Sequence, residues 1–139
     1  MKQSPQPVAP PEFAFRLDVH SGVPVYRQLI DQVQAAIATS ALRTGDQLPT
    51  VRRVAVDLAI NPNTVSRAYR EMELRSILDT QQGTGTFVAD NQIKHTPAER
   101  HRQLSQLVTE FVARAGSAGF TVRELAQALH QLSPDTPNQ

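Results

Sequence analysis

The chain has 139 residues, of which 40% are apolar and 5% aromatic, with a formal net charge of +1. That length holds one domain and a small appendage around an aliphatic core, and charge placement, not net charge, must argue for any polyanionic partner. Without cysteine there are no disulfides or thiolate metal sites, and no apolar run of about 18 residues marks a membrane-spanning helix.

Residues 1–14 carry Pro5, Pro7, Pro10 and Pro11, four of the ten prolines, and read as a flexible arm. These prolines interrupt any apolar stretch behind Lys2, so the N-terminus does not read as a secretory signal and a cytoplasmic protein is expected. A first helix is predicted from Pro24 to about Thr39, with Tyr26, Leu29, Ile30, Val33 and Ile37 forming one buried stripe. Thr44-Gly45-Asp46 follows as a turn, pinned to the core by Leu42 and Leu48. A second helix begins after Pro49 under a Thr50 cap and buries Val51, Val54, Ala55 and Leu58. The third starts at a tight Asn61-Pro62-Asn63 junction, with Asn61 as cap and Pro62 in first position, and buries Val65, Ala68, Tyr69 and Met72. So short a connection is what a helix-turn-helix requires.

Ile77–Gln81 and Thr86–Ala89 then read as two short strands, reversed through Gln82-Gly83-Thr84-Gly85, where glycine supplies positive φ. A linker from Asn91 to Thr96 leads to a helix of about 18 residues that begins at Pro97 and carries a wide apolar stripe. Gly116 and Gly119 break it, Thr121 caps the next segment, and Val122, Leu125, Ala126 and Leu129 form a last short helix. Residues 133–139 read as a flexible tail. The predicted fold class is mainly α with a small β-hairpin. A winged helix-turn-helix domain occupies 15–90, and a short two-helix tail, expected to serve dimerisation, occupies 91–132.

Turning Val65, Ala68, Tyr69 and Met72 inward leaves Asn63, Ser66, Arg67, Arg70 and Leu74 on the outer face of the third helix, with Thr64 at its edge. Short amide and hydroxyl groups beside guanidinium groups suit base edges and phosphates, because Arg pairs bidentately with guanine and Asn with adenine. On the second helix Arg52 and Arg53 follow the Thr50 cap, next to the free N–H groups of the first turn, where a first helix crosses a phosphate backbone. Arg52, Arg53, Arg67 and Arg70 face one acid, Asp57, between residues 50 and 70. Glycines in the wing remove side-chain bulk at a close approach. An amphipathic helix with outward arginines is ordinarily only a solvated face, and a lone Gly-x-Gly is ordinarily only a turn. Their conjunction in this order separates a DNA reader from either.

Leu48-Pro49-Thr50-Val51-Arg52, Asn61-Pro62-Asn63-Thr64-Val65-Ser66-Arg67-Ala68-Tyr69 and Gly83-Thr84-Gly85-Thr86-Phe87-Val88 together resemble the winged helix-turn-helix of GntR-family transcriptional regulators. Pro24-Val25-Tyr26-Arg27-Gln28-Leu29 matches as well, so the resemblance covers roughly residues 16–90. It implies DNA contacts from Arg52, from Asn61 to Arg67, and from Gly83 and Gly85. With the physical reading, the expected interface is Thr50, Arg52, Arg53, Asn61, Asn63, Thr64, Ser66, Arg67, Arg70, Gly83, Thr84 and Gly85. Two positions depart from the family pattern. Pro62 stands where many members carry an arginine, which shifts base contacts toward Asn63, Ser66 and Arg67. Arg75-Ser76 replaces the usual glycine before the wing.

Only 49 residues follow Asp90, too few for a large effector domain, and a two-helix tail is similar to the YtrA-like subfamily. Leu104, Leu107, Val108, Phe111, Val112 and Ala115 form more apolar face than one short neighbour covers, so a homodimer is expected through Leu104, Leu107, Val108, Phe111, Val112, Leu125 and Leu129. A symmetric dimer implies a palindromic double-stranded operator, and the resemblance implies a repressor controlling transporter genes beside its own. Alternatives are a nonspecific architectural binder, which two lysines disfavour, and a winged protein-interaction module. His20, His95, His101 and His130 are too scattered for a metal site, and Glu71 and Glu73 read as ion-pair partners of nearby arginines. No cofactor, enzyme chemistry or membrane partner is implied. A small-molecule effector would sit between tail and DNA-binding domain, but no convergent polar cluster marks it.

Overall fold

The computed structural model describes residues 13–90 and 95–132. The helices are α1 (Val25–Ala38), α2 (Val51–Leu58), α3 (Pro62–Leu74), α4 (Pro97–Ser117) and α5 (Val122–Leu132), and the strands are β1 (Leu78–Gln81) and β2 (Gly85–Val88). Two compact units divide between Asp90 and Asn91.

In the first unit, α1 contributes Leu29, Ile30, Val33 and Ala36 to a core completed by Val54 and Ala55 of α2, Val65, Ala68, Tyr69 and Met72 of α3, and Leu78 and Val88 of the hairpin. The inward residues of α2 and α3 are those expected from periodicity, and Leu42 and Leu48 are buried as expected. In α1 the stripe ends differently. Ala36 is 7% exposed and Ile37 36%, because the chain folds back over Ala36, whose carbonyl accepts from the Leu42 N–H at 3.0 Å.

Most of the stretch read as an arm, residues 1–12, lies outside the described residues. Phe13 packs edge-on against buried Phe15, with ring centroids 4.8 Å apart, and so belongs to the domain. The following backbone is fastened to α1 by two glutamines acting as strand-like partners. Gln32 accepts from the Arg16 N–H at 2.8 Å and donates to the Arg16 carbonyl at 2.6 Å. Gln28 treats Asp18 the same way, at 2.9 and 3.0 Å.

The junction between α2 and α3 is Ala59, Ile60 and Asn61, two residues earlier than the Asn61-Pro62-Asn63 expected, while Asn61 as cap and Pro62 in first helical position are as read from the sequence. Proline lacks only an N–H that the first turn leaves unpaired anyway. The reversal comes from Ala59, left-handed at φ 54°, which no glycine announces. β1 and β2 pair antiparallel, Leu78 opposite Val88 and Gln81 opposite Gly85. The loop expected at 44–48 does more than turn. Val88 N–H donates to the Asp46 carbonyl and Leu48 N–H to the Thr86 carbonyl, each at 2.8 Å, and Gln47 bridges Phe87, giving the wing a short third edge.

In the second unit, α4 opens on a Thr96–Glu99 capping box and runs 21 residues. Gly116 is helical and does not break it; Gly119, at φ 89°, does. Thr121 caps α5 as expected, its Oγ1 accepting from the Glu124 N–H at 3.2 Å while the Glu124 carboxylate takes the Thr121 N–H at 3.1 Å. Ala115 is buried and Val112 and Leu125 half-buried, whereas Leu104, Leu107, Val108, Phe111 and Leu129 are exposed. No helix among the described residues is long and apolar enough to cross a membrane.

Candidate nucleic-acid interface

The caps expected at the starts of α2 and α3 both form. Thr50 Oγ1 accepts from the Arg53 N–H at 3.1 Å, and Asn61 Oδ1 from the Asn63 N–H at 2.8 Å. Each cap consumes an acceptor, so the Thr50 hydroxyl proton and the Asn61 amide hydrogens remain as donors toward an anion. The lead-in to α2 is tied to α3 by the Tyr69 hydroxyl, which donates to the Pro49 carbonyl. Burial pushes the Tyr69 phenol well above its ordinary ionisation range, so it stays a neutral donor.

On α3, Asn63, Arg67, Arg70 and Leu74 are exposed, and Thr64 and Ser66 are half-buried on its flanks. Ser66, expected on the open face, therefore sits at an edge. The arginines divide by partner. Arg53 pairs with Asp57 at 3.7 Å, and Arg75 with Glu71 at 3.0 Å. Arg52, Arg67 and Arg70 have no anionic partner among the described residues. Three uncompensated positive charges thus lie on the first turn of α2 and the outer face of α3.

Gly83 (φ 79°) and Gly85 (φ 140°) bring Thr84 to the exposed wing tip, as the turn chemistry required. The wing is held from both sides. Gln47 Nε2 donates to the Thr84 carbonyl at 3.3 Å, and its amide lies so close to Gly85 that an added Cβ would fall 2.5 Å from Nε2. On the other side the Thr80 hydroxyl donates to Glu73 of α3 and stands 3.1 Å from the Thr86 hydroxyl. Glu73 therefore anchors the wing; of the two acids read as ion-pair partners, only Glu71 pairs with an arginine, Arg75. Sequence reasoning also missed Gln47, and for Tyr26, which packs against the core as expected, it missed the open part of the ring. Tyr26 is half-buried and carries the Arg67 guanidinium over its ring. No local pattern marks these long-range pairings.

Among the described residues no three His, Asp or Glu side chains gather as a metal site. The pattern of bacterial regulatory proteins, gntR family, matches residues 25–88. The chain is 30% identical over 120 residues to the HTH-type transcriptional repressor YtrA of Bacillus subtilis (strain 168), covering 86% of this chain and 92% of that protein. YhcF of the same organism, an uncharacterized HTH-type transcriptional regulator, is 36% identical over 110 residues, 78% of this chain and 89% of its own length. A crystal structure described as a transcriptional antiterminator from Listeria monocytogenes EGD-e aligns with a TM-score of 0.65 at 25% identity, over 89% of this chain and 92% of that one. Likeness over nearly the full length of such relatives, with a capped helix-turn-helix and a glycine-tipped wing, makes the chain a member of the gntR family of bacterial regulatory proteins, a DNA-binding transcriptional regulator and not an enzyme.

Proposed function

We propose that the chain is a homodimeric repressor that reads a palindromic operator in duplex DNA, with Arg67, Asn63 and Ser66 toward base edges. Arg52, Arg70 and the donors of Thr50, Asn61 and the α2 first turn hold phosphates, and Gly83, Thr84 and Gly85 carry the wing to the flanking groove. Thr64 lies at the edge of this surface, and Arg53 joins it from within its Asp57 pair. The observation that carries the reading is the gathering of three arginines without an anionic partner among the described residues on the first turn of α2 and the outer face of α3, where neighbouring Arg53 and Arg75 are paired. Such residual charge favours a polyanion, and its placement on a helix N-terminus and an exposed helix face suits a groove and its walls.

The dimer rests on the tail. Leu104, Leu107, Val108 and Phe111 of α4 and Leu129 of α5 are exposed, an apolar band that a second copy of the same band would cover. Val112 and Leu125 would stand behind it. The relative named a repressor supports repression, by occupation of an operator overlapping a promoter. Transporter genes adjacent to its own are the regulated set suggested by the YtrA-like resemblance.

Selection of bound duplexes from a random-sequence pool tests the proposal. Enrichment of a two-fold symmetric sequence is expected, and an Arg52→Ala, Arg67→Ala double variant should not enrich it. Uniform retention of all duplexes would instead indicate an architectural binder. Undiminished binding by the double variant would leave a winged protein-interaction module.

A further inference from the structure

The Arg67 guanidinium carbon lies 4.2 Å from the centre of the Tyr26 ring. Tyr26 occupies the first turn of α1, and the ring is set in place by the packing of α1 on α3 through fully buried Leu29, Ile30, Val33 and Val65. An aromatic face attracts a cation through its quadrupole yet engages none of the five guanidinium N–H donors. A salt bridge would have taken both charge and donors. Stacked Arg67 keeps them, and gives up only rotamer freedom.

Arg52 and Arg70 differ. Among the described residues neither has a ring, an acid or a carbonyl to order it. A phosphate tolerates a cation held by no such contact, whereas a bidentate contact to a base edge needs a fixed plane.

We propose that Tyr26 is a positioning residue for DNA recognition, ordering the Arg67 guanidinium in the free protein so that it meets a base edge with its geometry already set. This rests on the reading that Arg67 touches DNA. Ordering before contact removes part of the side-chain entropy lost on binding. It also divides labour among the three arginines: Arg67 reads, and Arg52 and Arg70 hold.

The test uses the full chain and a duplex selected by the wild type from a random pool. Tyr26→Phe, which keeps the ring, should bind as the wild type does. Tyr26→Leu should weaken binding about threefold for each bound helix. It should also blur the base preference that Arg67→Ala blurs, and add no further loss in the Arg67→Ala background. Equal losses in both backgrounds, or a selected sequence as sharp as the wild type's, would overturn the proposal. Wild-type binding by Arg67→Ala would instead sink the reading beneath it. If Tyr26→Leu does not fold, NMR order parameters of Arg67 Nε–H in the free wild type decide: rigidity supports the proposal, and mobility matching Arg52 overturns it.

Discussion

The Tyr69 hydroxyl, carried by α3, donates its hydrogen bond to the carbonyl of Pro49, the residue before the cap of α2. One side chain thus ties the N-terminus of α2 to α3. Tyr69→Phe should destabilise the fold by about 1 kcal/mol, because the part-buried carbonyl loses its partner. The sign of the pH effect follows from burial. The folded-state ionisation is raised above the ordinary 10.0, so the stabilisation is complete below that pH and is lost as pH climbs toward the folded value. Urea midpoints should fall above pH 10, and less so for the Phe variant; parallel profiles for the two proteins would contradict this.

Ala59 and Ser76 stand at φ 54° and 59°, left-handed positions that cost a side chain about 1 kcal/mol. Each joins two elements of the reader, Ala59 after α2 and Ser76 between α3 and β1. Ala59→Gly and Ser76→Gly should each raise stability by up to about 0.5 kcal/mol, after allowing for the greater freedom of glycine when unfolded. Thermal denaturation measures it. A lowered midpoint in both variants would argue that neither residue is left-handed.

Gly85 meets two constraints, a φ of 140° and the Gln47 amide where its Cβ would go. Gly85→Ala should cost about 1–3 kcal/mol. Adding Gln47→Ala should recover the steric part and leave the backbone part, which a double-mutant cycle in urea separates. Additive losses would place Gln47 away from Gly85.

The arginines without an anionic partner among the described residues should register in salt. Arg52→Ala and Arg70→Ala should each weaken binding evenly across sequences and lower the slope of log affinity against log salt by about one unit. Arg67→Ala should cost about 1–3 kcal/mol on the selected duplex and relax base preference. Filter-binding titrations at several salt concentrations distinguish the two patterns, and identical behaviour of all three variants would erase the division of roles.

Replacing Leu107 and Phe111 of α4 by glutamate should yield monomers in sedimentation and reduce binding to a two-fold symmetric duplex far more than to a single half-site. Dimers that survive the change would move the proposed interface elsewhere.

Caps and periodic stripes made much of this legible in advance. Thr50, Asn61 and Thr121 act through the next few residues, and Val65, Ala68, Tyr69 and Met72 declare an inward face by spacing alone. What stayed hidden depends on partners distant in the chain. Gln28 and Gln32 look like surface amides until the backbone of Arg16 and Asp18 lies beside them. Gln47 looks like a loop residue until Gly85 clears room for it, and Glu73 looks like an ion-pair partner until Thr80 arrives. Ile37 fits the apolar stripe of α1, but the sheltering chain passes over Ala36. Ala59 turns left without a glycine to signal it.

The amides of Gln28 and Gln32, which grip the backbone at Asp18 and Arg16, are uncharged. So is the Tyr69 tie to Pro49. Screening acts on fixed charges and leaves these fastenings nearly untouched. Ionic strength can therefore strip the protein from DNA while the reading head stays assembled, and a shift in cellular salt alters occupancy without a refolding step.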